Sequence, residues 1–158
     1  MNLAKMVEIN QRINLDTSKH ELEDRYDRKQ QLFLALQAKV SQLEHFIMAR
    51  KRSNHFDQKQ DILIEFVKGI HCFLAIATAE NWLELMYLYE DDLHDLVTGE
   101  FKEGLRGSFI EVQEDLAKCM SSKDKEQNFK RAWFNYIVCI GIIGLGLSFA
   151  EMENTIPT

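Results

Sequence analysis

The stretch Asp61–Glu80, DILIEFVKGIHCFLAIATAE, decides the fold of this chain. Apolar side chains recur in it at steps of three and four residues, and they include Ile62, Phe66, Ile70, Phe73 and Ala77. This spacing is the period of an α-helix, and the apolar residues between these positions extend the stripe around the helix. We therefore predict a helix that is buried over most of its circumference.

Polar side chains of the same helix share one face. Asp61, Glu65, Lys68 and Cys72 follow one another at i, i+4, i+7 and i+11, so they lie on one side of it. Charged groups on so apolar a helix need partners, because an unpaired buried charge costs several kcal/mol or more. The groups that meet this face should therefore decide what the protein does.

Composition predicts a single all-α domain over residues 1–158. The chain is 46% hydrophobic and 28% charged, a composition typical of a chain that folds. It has only 7 glycines and 1 proline, so it has few of the residues that form the turns of a β-sheet. We predict a loop through Gly99, Gly104 and Gly107. The predicted helices cover Asn2–Asp16, Glu21–Arg52, Phe56–Glu80, Leu83–Leu96, Phe109–Met120 and Lys125–Met152.

Charge and cysteine usage limit the classes of function. A net charge of −6 argues against a nucleic-acid partner, and we interpret the basic run at 50–52 as a solvated helix end. The cysteines Cys72, Cys119 and Cys139 show no metal-ligand spacing. We therefore expect free core thiols in a reducing, cytoplasmic compartment.

One segment is long enough to cross a membrane. Ala132–Ala150 contains nineteen residues without a charge, a length that spans a bilayer. Asn135, Tyr136 and Ser148 within it, and the amphipathic helices upstream that need an apolar cover, favour a buried central helix and no membrane partner. A tail anchor is the alternative.

Three stretches carry a family resemblance. ILIEFVKGIHCFLAIA at 62–77, LALQAKVSQLE at 34–44 and IGIIGLGLSFAEME at 140–153 resemble motifs of the dimeric all-α dUTPases, within the all-α NTP pyrophosphatase (MazG-like) superfamily. The resemblance implies an antiparallel bundle of about five or six helices and a homodimer. The opening residues 2–14 are similar to the first helix of that family, in which amide side chains recognise the base. Asn10 and Asn14 are the counterparts here.

The resemblance also locates a degenerate metal site. Family members hydrolyse a nucleoside triphosphate to monophosphate and pyrophosphate, with Mg²⁺ held by four carboxylates. The matching positions here are Lys39, Gln42, Glu65 and Lys68, so only Glu65 keeps a carboxylate. Magnesium prefers hard oxygen ligands, and a lysine about 5 Å away repels a divalent ion by about 6–7 kcal/mol at an effective dielectric near 20. We expect no metal, no other cofactor and no catalytic residue at these positions.

These changes predict a homologue that has lost its catalysis and that acts by binding a protein or a nucleotide. The alternative is an active dUTP or NTP pyrophosphatase with a rearranged site, in which Asp61 and Glu65 hold Mg²⁺. Lys39 and Lys68 either pair with Glu65 and Asp61 in an ionic cluster that joins two helices, or extend outwards into solvent.

Other candidate residues favour structural roles. His45 lacks a convergent partner, and His71 matches a structural family position, so we expect a satisfied core histidine there. The carboxylates of 90–92 point in three directions on a predicted helix, and we interpret them as a solvated face.

Overall fold

The computed structural model describes residues 4–8, 25–53, 59–88, 104–121 and 123–155, and these residues are helical nearly throughout. No strand occurs within these ranges, so the predicted all-α class is confirmed for them. Besides a short helical segment at 4–8, the α-helices are α1 (Arg25–Ser53), α2 (Lys59–Glu80), α3 (Gly104–Ser121), α4 (Lys125–Phe134) and α5 (Phe149–Thr155). A 3₁₀ turn covers Leu83–Met86, and a π-helix covers Asn135–Gly144.

The chain divides into two compact units. The first comprises Met1–Asn81 and Phe149–Thr158, and the second comprises Trp82–Ser148. The single domain that we predicted over 1–158 stays a prediction. Each unit has its own helix pair, and the candidate site lies on the pair in the first unit.

In the first unit, α1 and α2 are antiparallel. Lys29 near the start of α1 pairs with Glu80 at the end of α2 at 3.3 Å, and Arg50 near the end of α1 pairs with Asp61 near the start of α2 at 3.7 Å. The predicted apolar stripe of α1 is buried at Leu36, Val40, Leu43 and Ile47, and α2 buries Phe66, Ile70, Phe73 and Leu74. Burial of these facing stripes is the main force that holds the pair together.

Two features define the ends of this pair. The helix α2 ends where Asn81 adopts φ +61°, a left-handed conformation that commonly terminates helices. The short helix α5 packs against α2, with Lys59 and Glu151 in an ion pair at 3.2 Å.

In the second unit, α3 and α4 form an antiparallel hairpin. Asp115 on α3 lies 3.9 Å from Arg131 on α4, and the Cys119 thiol donates to the carbonyl oxygen of Lys125 at 3.5 Å. Trp133, which is fully buried, donates its indole N–H to the carbonyl oxygen of Met86 at 2.8 Å. This bond anchors the 3₁₀ turn to α4.

Three predicted helices differ from the structure. The helix expected over Leu83–Leu96 is wrong at its start, because the 3₁₀ turn ends at Met86 and Tyr87 has extended backbone; residues 89–96 lie outside the described ranges. Helix α3 begins at Gly104, so Gly107 is a buried helical residue and not part of a loop.

The third difference is the break in the last predicted helix. Lys125–Met152 is not continuous: α4 gives way to the π-helix at Asn135, the amide of Leu145 donates to the carbonyl of Ile140, and Gly146 at φ +69° ends the segment before α5. Hydrogen bonds that span five residues widen the helix. The residues that α4 and the π-helix bury are Asn128, Phe129, Ala132, Trp133, Tyr136, Ile137, Val138, Ile140 and Gly141.

Among the described residues, one helix is long and apolar enough to span a membrane by length and composition alone, and a second segment is so only if two helices are taken together. One is α2, of which half is buried inside the protein. The other would combine 125–144 with α5 across the break between them. Core helices of globular proteins pass the same test, so these segments carry little weight on their own.

Candidate functional site

The four degenerate metal positions and Asp61 lie on one side of the α1–α2 pair, which we name the charged face. Its side chains are Lys39, Gln42, Phe46 and Arg50 from α1, and Asp61, Glu65, Lys68 and Cys72 from α2. Two antiparallel helices bring these residues together because their charged stripes flank the buried stripes described above.

The four degenerate metal positions form two contacts, each within one helix. The Lys68 ammonium donates to the Glu65 carboxylate at 2.9 Å, and the Lys39 ammonium donates to the Gln42 amide oxygen at 3.4 Å. The predicted pairing of Lys68 with Glu65 is therefore present. Within the described part of the chain, Lys39 forms no ion pair with Glu65.

The register of the two helices explains this difference. Lys29 lies beside Glu80, Lys39 lies close enough to Cys72 to influence its pKa, and Arg50 lies beside Asp61. Residues that lie opposite each other therefore rise in number along α1 as they fall in number along α2. Gln42 falls level with Lys68, whereas Lys39 lies about 10 Å along the axis from the level of Glu65.

An ion pair that we did not predict joins the two helices on the charged face. Arg50 pairs with Asp61 at 3.7 Å, and its guanidinium stands 4.3 Å from the centre of the Phe46 ring. The sequence predicted a solvated helix end at Arg50, because residues in contact across two helices cannot be matched before their register is known. Asp61 was thus correctly expected to have a partner, but the partner is an arginine.

The charged face is open to solvent. The side chains of Asp61 and Lys68 are 56% and 49% exposed, and that of Glu65 is 25% exposed. These exposures lower the cost of the charges, so their ion pairs contribute little to stability. The face carries three cations and two carboxylates, in a chain whose net charge is −6. The five charged groups of the face therefore sum to a net charge of about +1, and Arg50 and Lys68 among them are paired with its two carboxylates.

Cys72 is the only thiol on the charged face. Burial raises the pKa of Cys72, and the nearby Lys39 ammonium opposes this shift without cancelling it. The neutral thiol is therefore favoured, and Cys72 is not an activated nucleophile.

His71 contradicts the expectation of a satisfied core histidine. Both of its ring nitrogens are buried, and neither has a hydrogen-bond partner among the residues that the structure describes. Burial lowers the pKa of His71. His45, on α1, is exposed.

The second unit contains a polar cluster that was not predicted from the sequence. Burial raises the pKa of Asp115 despite the nearby Arg131 and Lys118, and Arg131 also donates to the Asn128 amide oxygen at 2.5 Å. Burial and the Asp115 carboxylate together raise the pKa of Cys119 to about 12. A thiol with so high a pKa is unreactive, so the cluster links α3 to α4 and offers no nucleophile.

The predictions for the remaining residues are tested only in part. Asn10, Asn14 and the carboxylates at 90–92 lie outside the described residues. Within the described ranges, no three His, Cys, Asp or Glu side chains converge as metal ligands. Asp61 and Glu65, the carboxylates of the alternative magnesium site, are paired with Arg50 and Lys68.

A scan against protein-family models and searches among curated proteins and solved structures find no match to this chain.

Proposed function

We propose that this chain is a catalytically inactive relative of the dimeric all-α dUTPases, and that it acts by binding through the charged face. The supporting observation is the pairing at the four positions where the resemblance locates metal ligands. The Lys68 ammonium donates a hydrogen bond to the Glu65 carboxylate, and the Lys39 ammonium donates one to the amide oxygen of Gln42.

Electrostatics support binding over metal-dependent hydrolysis. A magnesium ion needs several hard oxygen ligands and is repelled by ammonium groups at the same distance. The same ammonium groups, together with Arg50, attract a phosphate or a carboxylate. The proposed ligand is therefore an anion, carried by a nucleotide without metal or by an acidic protein segment.

An activity assay tests the loss of catalysis. The purified chain is incubated with dUTP and the other deoxynucleoside triphosphates in Mg²⁺ or Mn²⁺, and pyrophosphate release is measured. We expect no turnover above background. A rate above about 0.1 s⁻¹, which is within the range of ordinary enzymes, would establish the alternative, an active pyrophosphatase.

A binding assay tests the charged face. Fluorescent dUTP is titrated against the chain in EDTA, and the variant Lys39→Glu is compared with Lys118→Glu, which makes the same charge change on α3. If a nucleotide is the ligand, only Lys39→Glu weakens its binding, by about tenfold. If no nucleotide binds, acidic peptides are the next ligands to test against the same two variants. Binding that both variants weaken equally would refute a role for this face.

A further inference from the structure

The exposed side of α3 contains a short pattern of charge. Its exposed residues are Arg106, Ile110, Glu111, Glu114, Ala117, Lys118 and Ser121. Within this set, Arg106, Ile110, Glu114 and Lys118 stand four residues apart along one row of the helix, and we name the first three of them the ridge. Ile110 is 52% exposed, which makes it one of the most exposed large apolar side chains of the described residues.

A single exposed isoleucine is ordinary, but its neighbours on the ridge are a cation on one side and an anion on the other. Arg106 lies one turn before Ile110, and Glu114 lies one turn after it. The two charges are about 12 Å apart along the axis, so they do not pair with each other. Neither forms an ion pair with another residue of the described ranges.

This order of charges is self-complementary. Two identical helices that cross antiparallel, with a two-fold axis at Ile110, place each residue before the axis opposite the residue equally far after it. Arg106 then faces Glu114 of the partner subunit, and Glu114 faces Arg106 of the partner subunit, on either side of an Ile110–Ile110 contact. Ala117 and Ser121 are small, so they do not obstruct the approach.

We propose that α3 is an interaction surface for a second copy of this chain, which it binds antiparallel through this ridge. A partner with an unrelated charge pattern does not satisfy both ends of the ridge, whereas a second copy does so by symmetry. The inference uses α3 alone and does not depend on the proposed function of the charged face.

The contact is small, and the association is weak. Helix α3 has 18 residues and is about 27 Å long, so a single helix crossing buries less than the roughly 800 Å² per partner of a standard interface. Salt screens the two exposed ion pairs. We therefore expect dimers at low ionic strength and at high protein concentration.

Charge reversal gives a decisive test by analytical ultracentrifugation of the full chain. Arg106→Glu places two glutamates opposite each other at both ends, and Glu114→Arg does the same with two arginines. We expect each variant alone to weaken dimerisation by about tenfold or more. An equimolar mixture of the two variants restores opposite charges at both ends, so it should dimerise about as well as the wild type.

Controls separate this result from misfolding and from other surfaces. Lys130→Glu makes the same charge change as Arg106→Glu at an exposed position of another helix, α4, and should leave dimerisation unchanged. Circular dichroism of every variant should match the wild type, and rescue in the mixture is itself proof that both variants fold. A wild type that is monomeric at every concentration, a mixture that fails to dimerise, or a dimer that is indifferent to both reversals would each overturn the proposal.

Discussion

Lys39 on α1 and Cys72 on α2 lie at the same level of the antiparallel pair, and the ammonium opposes the burial that raises the pKa of the thiol. Both residues stand near the middle of their helices. Their proximity also gives the charged face a chemical reporter, because the reactivity of a thiol follows its thiolate fraction.

Replacing Lys39 with methionine should slow alkylation of Cys72. Methionine keeps the length of the side chain but removes the charge, so the pKa of Cys72 rises further and its thiolate fraction falls. We expect iodoacetamide at pH 8 to react about threefold more slowly, as measured by peptide mass spectrometry. Lys68→Met makes the same change at the lysine that pairs with Glu65. It should have no effect, because the pKa of Cys72 is set by burial and by Lys39. Equal slowing in both variants would contradict the register.

Replacing His71 with leucine should stabilise the protein. The two buried ring nitrogens lack partners in the described part of the chain, and an unsatisfied buried polar group costs about 1–3 kcal/mol. The free energy of unfolding in urea at pH 7.5 measures the gain. His45→Leu, at an exposed position on the neighbouring helix, serves as the control. A loss of stability in His71→Leu would mean that the ring has partners.

The advantage of the His71→Leu variant should grow as the pH falls. Burial lowers the pKa of His71 below its ordinary value of 6.5, so the unfolded chain takes up a proton before the folded chain does. The wild type therefore loses stability as the pH falls below 6.5, down to the folded pKa. The variant does not lose this component. Urea unfolding between pH 7.5 and 5 measures the divergence of the two curves.

Replacing Asp115 with asparagine should be neutral or stabilising at pH 7, by up to about 1 kcal/mol. Burial raises the pKa of Asp115 above its ordinary 3.8 despite Arg131, so the folded state disfavours the ionised form. This penalty is present above the folded pKa and disappears as the pH falls through it toward 3.8. Unfolding at pH 7 and pH 4 should show the difference vanish. A marked loss at pH 7 would show that the Arg131 pair outweighs burial.

Carboxylates restored at the degenerate positions should confer a response to metal. In the triple variant Lys39→Glu, Gln42→Glu and Lys68→Asp, four carboxylates repel one another, and unfolding in EDTA should require about 1–2 kcal/mol less than in the wild type. Mg²⁺ should recover part of this loss, because Gln42 and Lys68 lie at the same level of the pair. The control variant Lys39→Gln with Lys68→Asn removes the same cations without adding carboxylates. Its free energy of unfolding should not change with Mg²⁺. If Mg²⁺ leaves the free energy of unfolding of the triple variant unchanged as well, the four side chains do not converge on one ion.

The α1–α2 pair could be predicted from the sequence because its signal is local. Leu36, Val40, Leu43 and Ile47 repeat at the helical period, and all four are buried. The intrahelical contact of Lys68 with Glu65 follows from the same period. The partner of Asp61 does not, because it depends on how two helices slide along each other.

The errors fall where tertiary contacts or backbone geometry override the pattern. The turn at 83–86 reads as the start of a helix, but Trp133, far along the chain, bonds the Met86 carbonyl and fixes a 3₁₀ turn there. The sequence signal for the break after Gly144 is Gly146, because a glycine readily adopts the φ of +69° found there. The change from an α-helix to a π-helix could not be predicted, because residues 135–144 are apolar nearly throughout and show no periodic pattern.

The π-helix at Asn135–Gly144 has a consequence for insertions and deletions. A π turn holds one residue more than an α turn, so a segment of this kind can lose a residue by reverting locally to α geometry. The chain on either side then keeps its phase, and the buried faces stay buried. Shortening the protein by one residue should therefore be tolerated within this stretch and ruinous in the middle of α2, where the same loss would rotate the aliphatic stripe by about 100°.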